Sequence, residues 1–121
     1  MIKSKKNKFR TEKDSMGKVK LPRDSLYGPQ TQRAIDNFNI SNLTMPHDFI
    51  NSLLLIKIAA AKANLKLNLI DKKKSLAIVK SANYLIKNYD HDNFPVDVFQ
   101  TGSGTSTNMN VNEVIANISK K

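Results

Sequence analysis

Residues 49–67, FINSLLLIKIAAAKANLKL, constrain the fold more than any other part of this chain. The run is rich in strong helix formers. Between Leu53 and Ala61 its apolar side chains fall on almost every side of a helix, so it is expected to be buried on more than one face. A chain of 121 residues suits one modest domain and is too short for two. Covering such a helix therefore takes both neighbouring helices or another protein surface.

The neighbours are legible in the sequence. Thr44 to Pro46 signals the start of the long helix, with Thr44 as the expected cap and Pro46 in the first turn, where its missing N–H costs nothing. Asp71 caps a further helix with an amphipathic stripe of Leu76, Val79, Ala82, Ile86 and Tyr89. These two long helices are expected to pair as an antiparallel hairpin. Upstream, FRTEKDSMGKVKLP reads as short extended pieces around a turn at Ser15, Met16 and Gly17, closed by Pro22. This clasp leads through a turn at Asp24 or Ser25 and Gly28-Pro29 into a short helix, QTQRAIDNF, spaced by Ala34, Ile35 and Phe38. Downstream, Pro95 breaks YDHDNFPVDVFQ into a loop. Val111, Val114, Ile115 and Ile118 then predict a last helix from near Ser106 or Thr107 to the end. The fold class is mainly α, with an extended clasp near the N-terminus and no internal repeat.

Charge and composition narrow the function. An apolar fraction of 40% and a charged fraction of 25% are those of a soluble globular protein. The net charge is +10, yet residues 1–20 hold eight Lys or Arg against Glu12 and Asp14, a net of +6. Residues 1–8 read as a basic, flexible, solvated tail rather than a nucleic-acid-binding arm. The clusters Lys72 to Lys74 and Lys120 to Lys121 lack the interleaved aromatics on which single-strand binders stack bases. No nucleic-acid or membrane partner is favoured. The N-terminus lacks the apolar stretch of a secretory signal and is too short and Lys-rich for a transit peptide, so a cytoplasmic setting is expected. There is no cysteine, and His47 and His91 are far apart without metal-ligand spacing, so no metal or cofactor is expected. Asp90 and Asp92 flank His91 in what reads as an exposed polar turn, and His47 reads as a surface or capping residue.

One element carries chemistry. In TGSGTSTNMNVNEVIAN, residues 101–117, Gly102 and Gly104 let the backbone turn tightly, and Ser103, Thr105, Ser106 and Thr107 offer hydroxyl donors. The following helix adds unpaired N–H groups and the positive end of its dipole, a suitable seat for a carboxylate or phosphate. The same pattern also serves as a simple Gly-rich turn with a hydroxyl cap. The spacing lacks the Lys of the Walker pattern and the three glycines of the dinucleotide fingerprint, which makes phosphate the weaker ligand.

Several blocks in order, FRTEKDSMG, LYGPQTQRAIDNF, LLLIKIAAAKAN and FPVDVFQTGSGTSTNMNVNEVIAN, resemble the N-terminal domain of class II fumarate hydratase, within the fumarase and aspartase superfamily. The likeness runs from about Phe9 to Asn117, so residues 9–121 are expected to form one fumarase-like N-terminal helical domain. Ser103, where aspartases tend to have alanine, looks like fumarase. The resemblance implies metal-independent, reversible hydration of fumarate to L-malate in the citric acid cycle, by an all-helical homotetramer. It carries substrate binding over to Ser103, Gly104 and Thr105. The family's catalytic histidine, its Gly-Ser-Ser loop and its Lys-Asn substrate contacts have no counterpart in these 121 residues. No catalytic residue is therefore expected here, and the chain alone is expected to be inactive as a truncated domain. The alternative is a non-catalytic helical binding module with a basic tail.

Overall fold

The computed structural model describes residues 7–121. Of the expected tail, residues 1–6 lie outside the described residues, while the carbonyls of Asn7 and Lys8 accept hydrogen bonds from Arg23. Next comes an antiparallel hairpin of β1 (Phe9–Asp14) and β2 (Gly17–Pro22), in register from Phe9 opposite Pro22 to Asp14 opposite Gly17. Gly17 has φ +117°, a conformation that favours glycine, and it closes the turn at Ser15 and Met16. Four helices follow: α1 (Pro29–Asn37), α2 (His47–Lys66), α3 (Lys72–Lys87) and α4 (Thr105–Ser119), with a short 3-10 helix at His91–Asn93. The mainly helical class with an extended clasp is as the sequence predicts.

Strand alternation gives the hairpin two chemistries. Val19 and Leu21 of β2 turn into the core, while Arg10, Glu12 and Asp14 of β1 fall on its half-buried side. Arg10 donates to the carbonyls of Pro22, Arg23, Ser25 and Tyr27 at 2.6–2.9 Å, fixing the loop into α1. Asp14 holds Arg33 of α1 through two bonds of 2.8 and 2.9 Å. The hydrogen bond from Arg33 lowers the Asp14 carboxyl pKa below its ordinary value.

The long helices pair as an antiparallel hairpin, with the Asp71 carboxylate capping α3 by accepting from the Lys74 N–H at 2.8 Å. Two details differ from the sequence reading. Thr44 does not cap α2: the N-cap is Pro46, and Thr44 lies two residues earlier, out of reach of the first-turn amides. It instead bridges Asp97 across an isolated antiparallel pair, with its hydroxyl 3.3 Å from His91 Nε2. The α3 stripe also departs at one position: Ala82 is buried and Val79, Ile86 and Tyr89 pack against the core, but Leu76 is exposed, while Ser75 beside it is buried with its hydroxyl donating to the Ala61 carbonyl at 3.0 Å.

On α2, Ile50, Leu54, Ile58 and Ala61 are buried, whereas Leu55 and Ile56 remain 58% and 60% exposed. One face is covered, not several, and among the helices the main contacts to α2 come from α3 and α4. Where α2, α3 and the later part of α4 part company, a groove of about 750 Å³ opens between Ala61, Ile78 and Ile115, with Lys57 and Lys74 at its edges. At the start of α2, His47 stacks on Tyr89, which stacks on Phe94, with ring centroids 3.7 and 5.8 Å apart.

The first and last helices are joined by a contact that the sequence pattern does not suggest. α1 has no side-chain cap of its own. The Glu113 carboxylate of α4 accepts from the N–H groups of Gln30 and Thr31 at 3.1 and 2.8 Å and from the Thr31 hydroxyl at 2.6 Å. A Cβ on Gly28 would meet this carboxylate head-on. Asn117 adds a bond of 2.6 Å to the Leu26 carbonyl. Glu113→Ala is expected to lower the unfolding free energy by about 2–3 kcal/mol, with a smaller loss for Glu113→Gln, which keeps one acceptor. Gly28→Ala, which displaces the carboxylate, should cost a comparable amount. Urea unfolding followed by circular dichroism measures all three, and a neutral Glu113→Ala would contradict this role.

Candidate functional site

The Gly-rich element sits at the N-terminus of α4, held by a loop that Asp97 organises. Asp97 is buried, and it accepts from the Ser41 N–H at 2.6 Å, the Ser41 hydroxyl at 2.9 Å and the Phe99 N–H at 2.8 Å. Burial raises the pKa of this carboxyl, but the bonds from Phe99 and Ser41 outweigh that effect and hold it below its ordinary value. The Asp97 carbonyl accepts from Gln100 Nε2 at 2.8 Å, which fixes the amide of Gln100.

That amide caps α4 from outside the helix. Gln100 Oε1 accepts from the Thr107 N–H and the Thr107 hydroxyl, both at 2.9 Å. Thr101 Oγ1 takes the Ser106 N–H at 3.3 Å. The helix begins at Thr105, slightly earlier than the spacing of its apolar residues predicts, and its N-cap is Gly104 rather than a hydroxyl residue. Gly104 has φ +74°, in the left-handed region, and its N–H bonds the Thr101 carbonyl at 2.9 Å. Gly102 has no such requirement.

Two of the first three amides of α4 are thus occupied by the chain itself, so the seat is less open than a bare helix N-terminus. What faces outward is a pair of hydroxyls. Ser103 and Thr105 are exposed, with Oγ and Oγ1 2.9 Å apart, and the Thr105 N–H has no acceptor among the described residues. Ser106 and Thr107 turn toward Thr101 and Gln100 and are committed to the cap. Of the sequence-predicted residues, Ser103, Gly104 and Thr105 are brought together on one turn.

The histidines are engaged elsewhere. His47 Nε2 lies 3.0 Å from Asn51 Nδ2, and His91 meets Thr44. Asp90 caps the 3-10 helix by accepting from the Asp92 N–H at 3.0 Å, the polar turn that was expected. No group of three or more His, Cys, Asp or Glu residues among those described could hold a metal, and no described helix is long and apolar enough to cross a membrane. No sequence motif singles out Gln100 or Lys57. Gln100 sits directly before the Gly-rich run, a position from which a side chain can fold back onto the next helix. Lys57 is an isolated cation in an apolar run, and it donates to Asn108 of α4 at 2.6 Å.

A family model described as lyase matches residues 17–121. The chain belongs to this lyase family. It is 53% identical over 112 residues to class II fumarate hydratase from Wigglesworthia glossinidia brevipalpis, a match covering 93% of this chain and 24% of that protein. The class II fumarate hydratase of Halobacterium salinarum is also 53% identical, over 109 residues, covering 90% of this chain and 23% of the relative. The crystal structure of recombinant class II fumarase from Schistosoma mansoni superposes with a TM-score of 0.88 at 43% identity, over 92% of this chain and 24% of that one. The fold is therefore that of the N-terminal part of a class II fumarase. The chain spans about a quarter of the length of the curated relatives it matches.

The loop that presents the element of this lyase-family chain is acid-sensitive by construction. Because the Asp97 carboxyl has a lower pKa folded than unfolded, its contribution is fully present above the ordinary carboxylate range and is lost as pH falls through the depressed value. Urea midpoints are expected to stay flat from neutral pH down to about 5 and to fall below about 4. Asp97→Asn should lower the neutral-pH midpoint and make the acid limb shallower. An acid limb unchanged by Asp97→Asn would show that the loop does not depend on this charge.

Proposed function

We propose that this chain is the part of a class II fumarate hydratase that forms one wall of its dicarboxylate site, the whole enzyme interconverting fumarate and L-malate in the citric acid cycle. The observation that carries this reading is the exposed hydroxyl pair of Ser103 and Thr105, held on a left-handed glycine at the start of α4. Identity of 53% to class II fumarate hydratases across almost the whole chain supports it. Hydration of fumarate, run in reverse, removes a proton beside a carboxylate and builds charge on that carboxylate as an aci-carboxylate. Fixed donors aimed at that oxygen stabilise it. Ser103 and Thr105 supply such donors, and Gly104 lets the backbone approach the ligand.

Among the described residues neither histidine is offered as the general base, since His91 meets Thr44 and His47 meets Asn51. Turnover then needs groups beyond those described here, while recognition of one carboxylate does not. A homotetramer in the cytoplasm belongs to the same proposal. The exposed Leu55, Ile56, Leu67 and Leu69 offer apolar surface for subunits or further domains to cover.

Titration of the isotope-labelled chain with fumarate, followed by NMR, is expected to shift the amides of residues 102–106 with weak affinity and to yield no L-malate. Ser103→Ala with Thr105→Val should weaken binding by about tenfold, the loss of a hydrogen bond or two to a charged group. Measurable turnover by the chain alone would overturn the division of labour. Unchanged binding in the double variant would overturn the site.

A further inference from the structure

We propose that Asn108 is a further ligand-binding residue of this element, offering its side-chain amide to a substrate carboxylate, and that Lys57 is the positioning residue that orients it. This inference rests on the reading of Ser103 and Thr105 as carboxylate donors.

Asn108 lies three residues after Thr105 and four after Gly104, whose carbonyl accepts its backbone N–H at 3.1 Å. Residues at that spacing share a helix face, and side chains on a helix lean toward its N-terminus. The Asn108 amide therefore stands over the turn that bears the hydroxyl pair. Its orientation follows from simple chemistry. Lys57 reaches across from α2 with Nζ 2.6 Å from Asn108 Oδ1. An ammonium only donates, so the amide oxygen must face Lys57 and the NH₂ must face away. That NH₂ has no protein acceptor among the described residues, and it is not a sealed, unsatisfied buried group. Two N–H donors are thus left free on a side chain that shares its helix face with Thr105.

The charge points the same way. Among the described residues, the three ion pairs are Arg10 with Glu12, Arg33 with Asp14, and Lys74 with Asp71, so Lys57 has no carboxylate partner. It is partly buried, and burial lowers its pKa from the ordinary value. A partly buried cation without a counter-charge gains from an anion brought near it. A carboxylate arriving at the Asn108 amide brings that counter-charge, with the amide relaying between the two.

A mere strut between α2 and α4 would have the same Lys57 to Asn108 bond, and Asn108→Asp separates the two roles. Aspartate keeps an acceptor for Lys57 but removes both N–H donors, and it also adds a charge that repels fumarate. Asn108→Ala, which removes the donors without adding charge, must therefore weaken fumarate as well for the inference to stand. Fumarate titration by NMR and urea unfolding are run on the chain and on Asn108→Asp, Asn108→Ala, Lys57→Met, Lys57→Arg and Ser103→Ala. Asn108→Asp is expected to hold or raise the urea midpoint while weakening fumarate by about tenfold or more. Lys57→Met should weaken fumarate several-fold, and Lys57→Arg should restore most of the affinity. If Asn108→Asp and a folded Lys57→Met bind within about twofold of the parent while Ser103→Ala binds weakly, the inference fails and the dicarboxylate reading stands. Should Lys57→Met not fold, Asn108→Asp and the uncharged Asn108→Ala decide together: normal fumarate binding by Asn108→Ala overturns the inference. If Ser103→Ala also binds normally, or the parent shows no fumarate-dependent shifts, both fail.

Discussion

The carboxylate of Glu113 on the start of α1 is the contact from which the rest of the arrangement takes its geometry. α1 opens with Gly28 and Pro29, so it has neither a capping side chain nor an N–H at its first position. The next two amides would be orphans at a partly covered helix end. Glu113, more than eighty residues away in the chain, satisfies both and the Thr31 hydroxyl as well. An anion at the positive end of a helix is favourable in its own right. The carboxylate occupies the space beside Gly28 where any other residue would carry a Cβ, so a side chain there would displace the cap.

That fastening sets where the functional element can be. Val111, Val114 and Ile115 bury the middle of α4, and Asn117 ties its later turns to the loop before α1. At the other end, Gln100 and Thr101 cap the first turn, and Asp97 in turn holds the loop that carries Gln100. Ser103 and Thr105 are exposed, yet the turn that bears them is pinned on both sides. Donors held in place before a ligand arrives lose little freedom on binding, and this is what gives surface hydroxyls value in recognition.

Local grammar was readable wherever a residue acts on its own neighbours. The turn before Gly17, the Asp71 cap and the apolar periodicity of α4 all follow from rules that span a few residues. The hydroxyl run was legible for the same reason. Long-range pairings were not. Nothing in one sequence says that Glu113 caps α1, that Asp97 diverts Thr44 from α2, or that Lys57 meets Asn108. Nor does the periodicity of α3 show that Ser75, its hydroxyl bonded to the Ala61 carbonyl, is buried while the neighbouring Leu76 is exposed. Apolarity on all sides of α2 was plain in the sequence. Which of its faces the chain itself would cover was a tertiary matter.

The pattern of caps also bears on which anion the element suits. Phosphate seats use several consecutive free backbone amides, because a tetrahedral group with spread charge needs donors from many directions. Here the amides of Ser106 and Thr107 are spent on Thr101 and Gln100, so α4 offers only its first N–H to a ligand. The remaining donors are neutral side-chain groups: the hydroxyl pair of Ser103 and Thr105, in which one hydroxyl donates to the other until a ligand takes its place, and the NH₂ of Asn108 that Lys57 leaves free. A planar carboxylate with two oxygens is satisfied by a few donors of that kind. Lys57 adds positive charge at one remove, through an amide. The same internal capping that makes the helix start stable in the absence of a ligand thereby tilts its preference from phosphate to carboxylate.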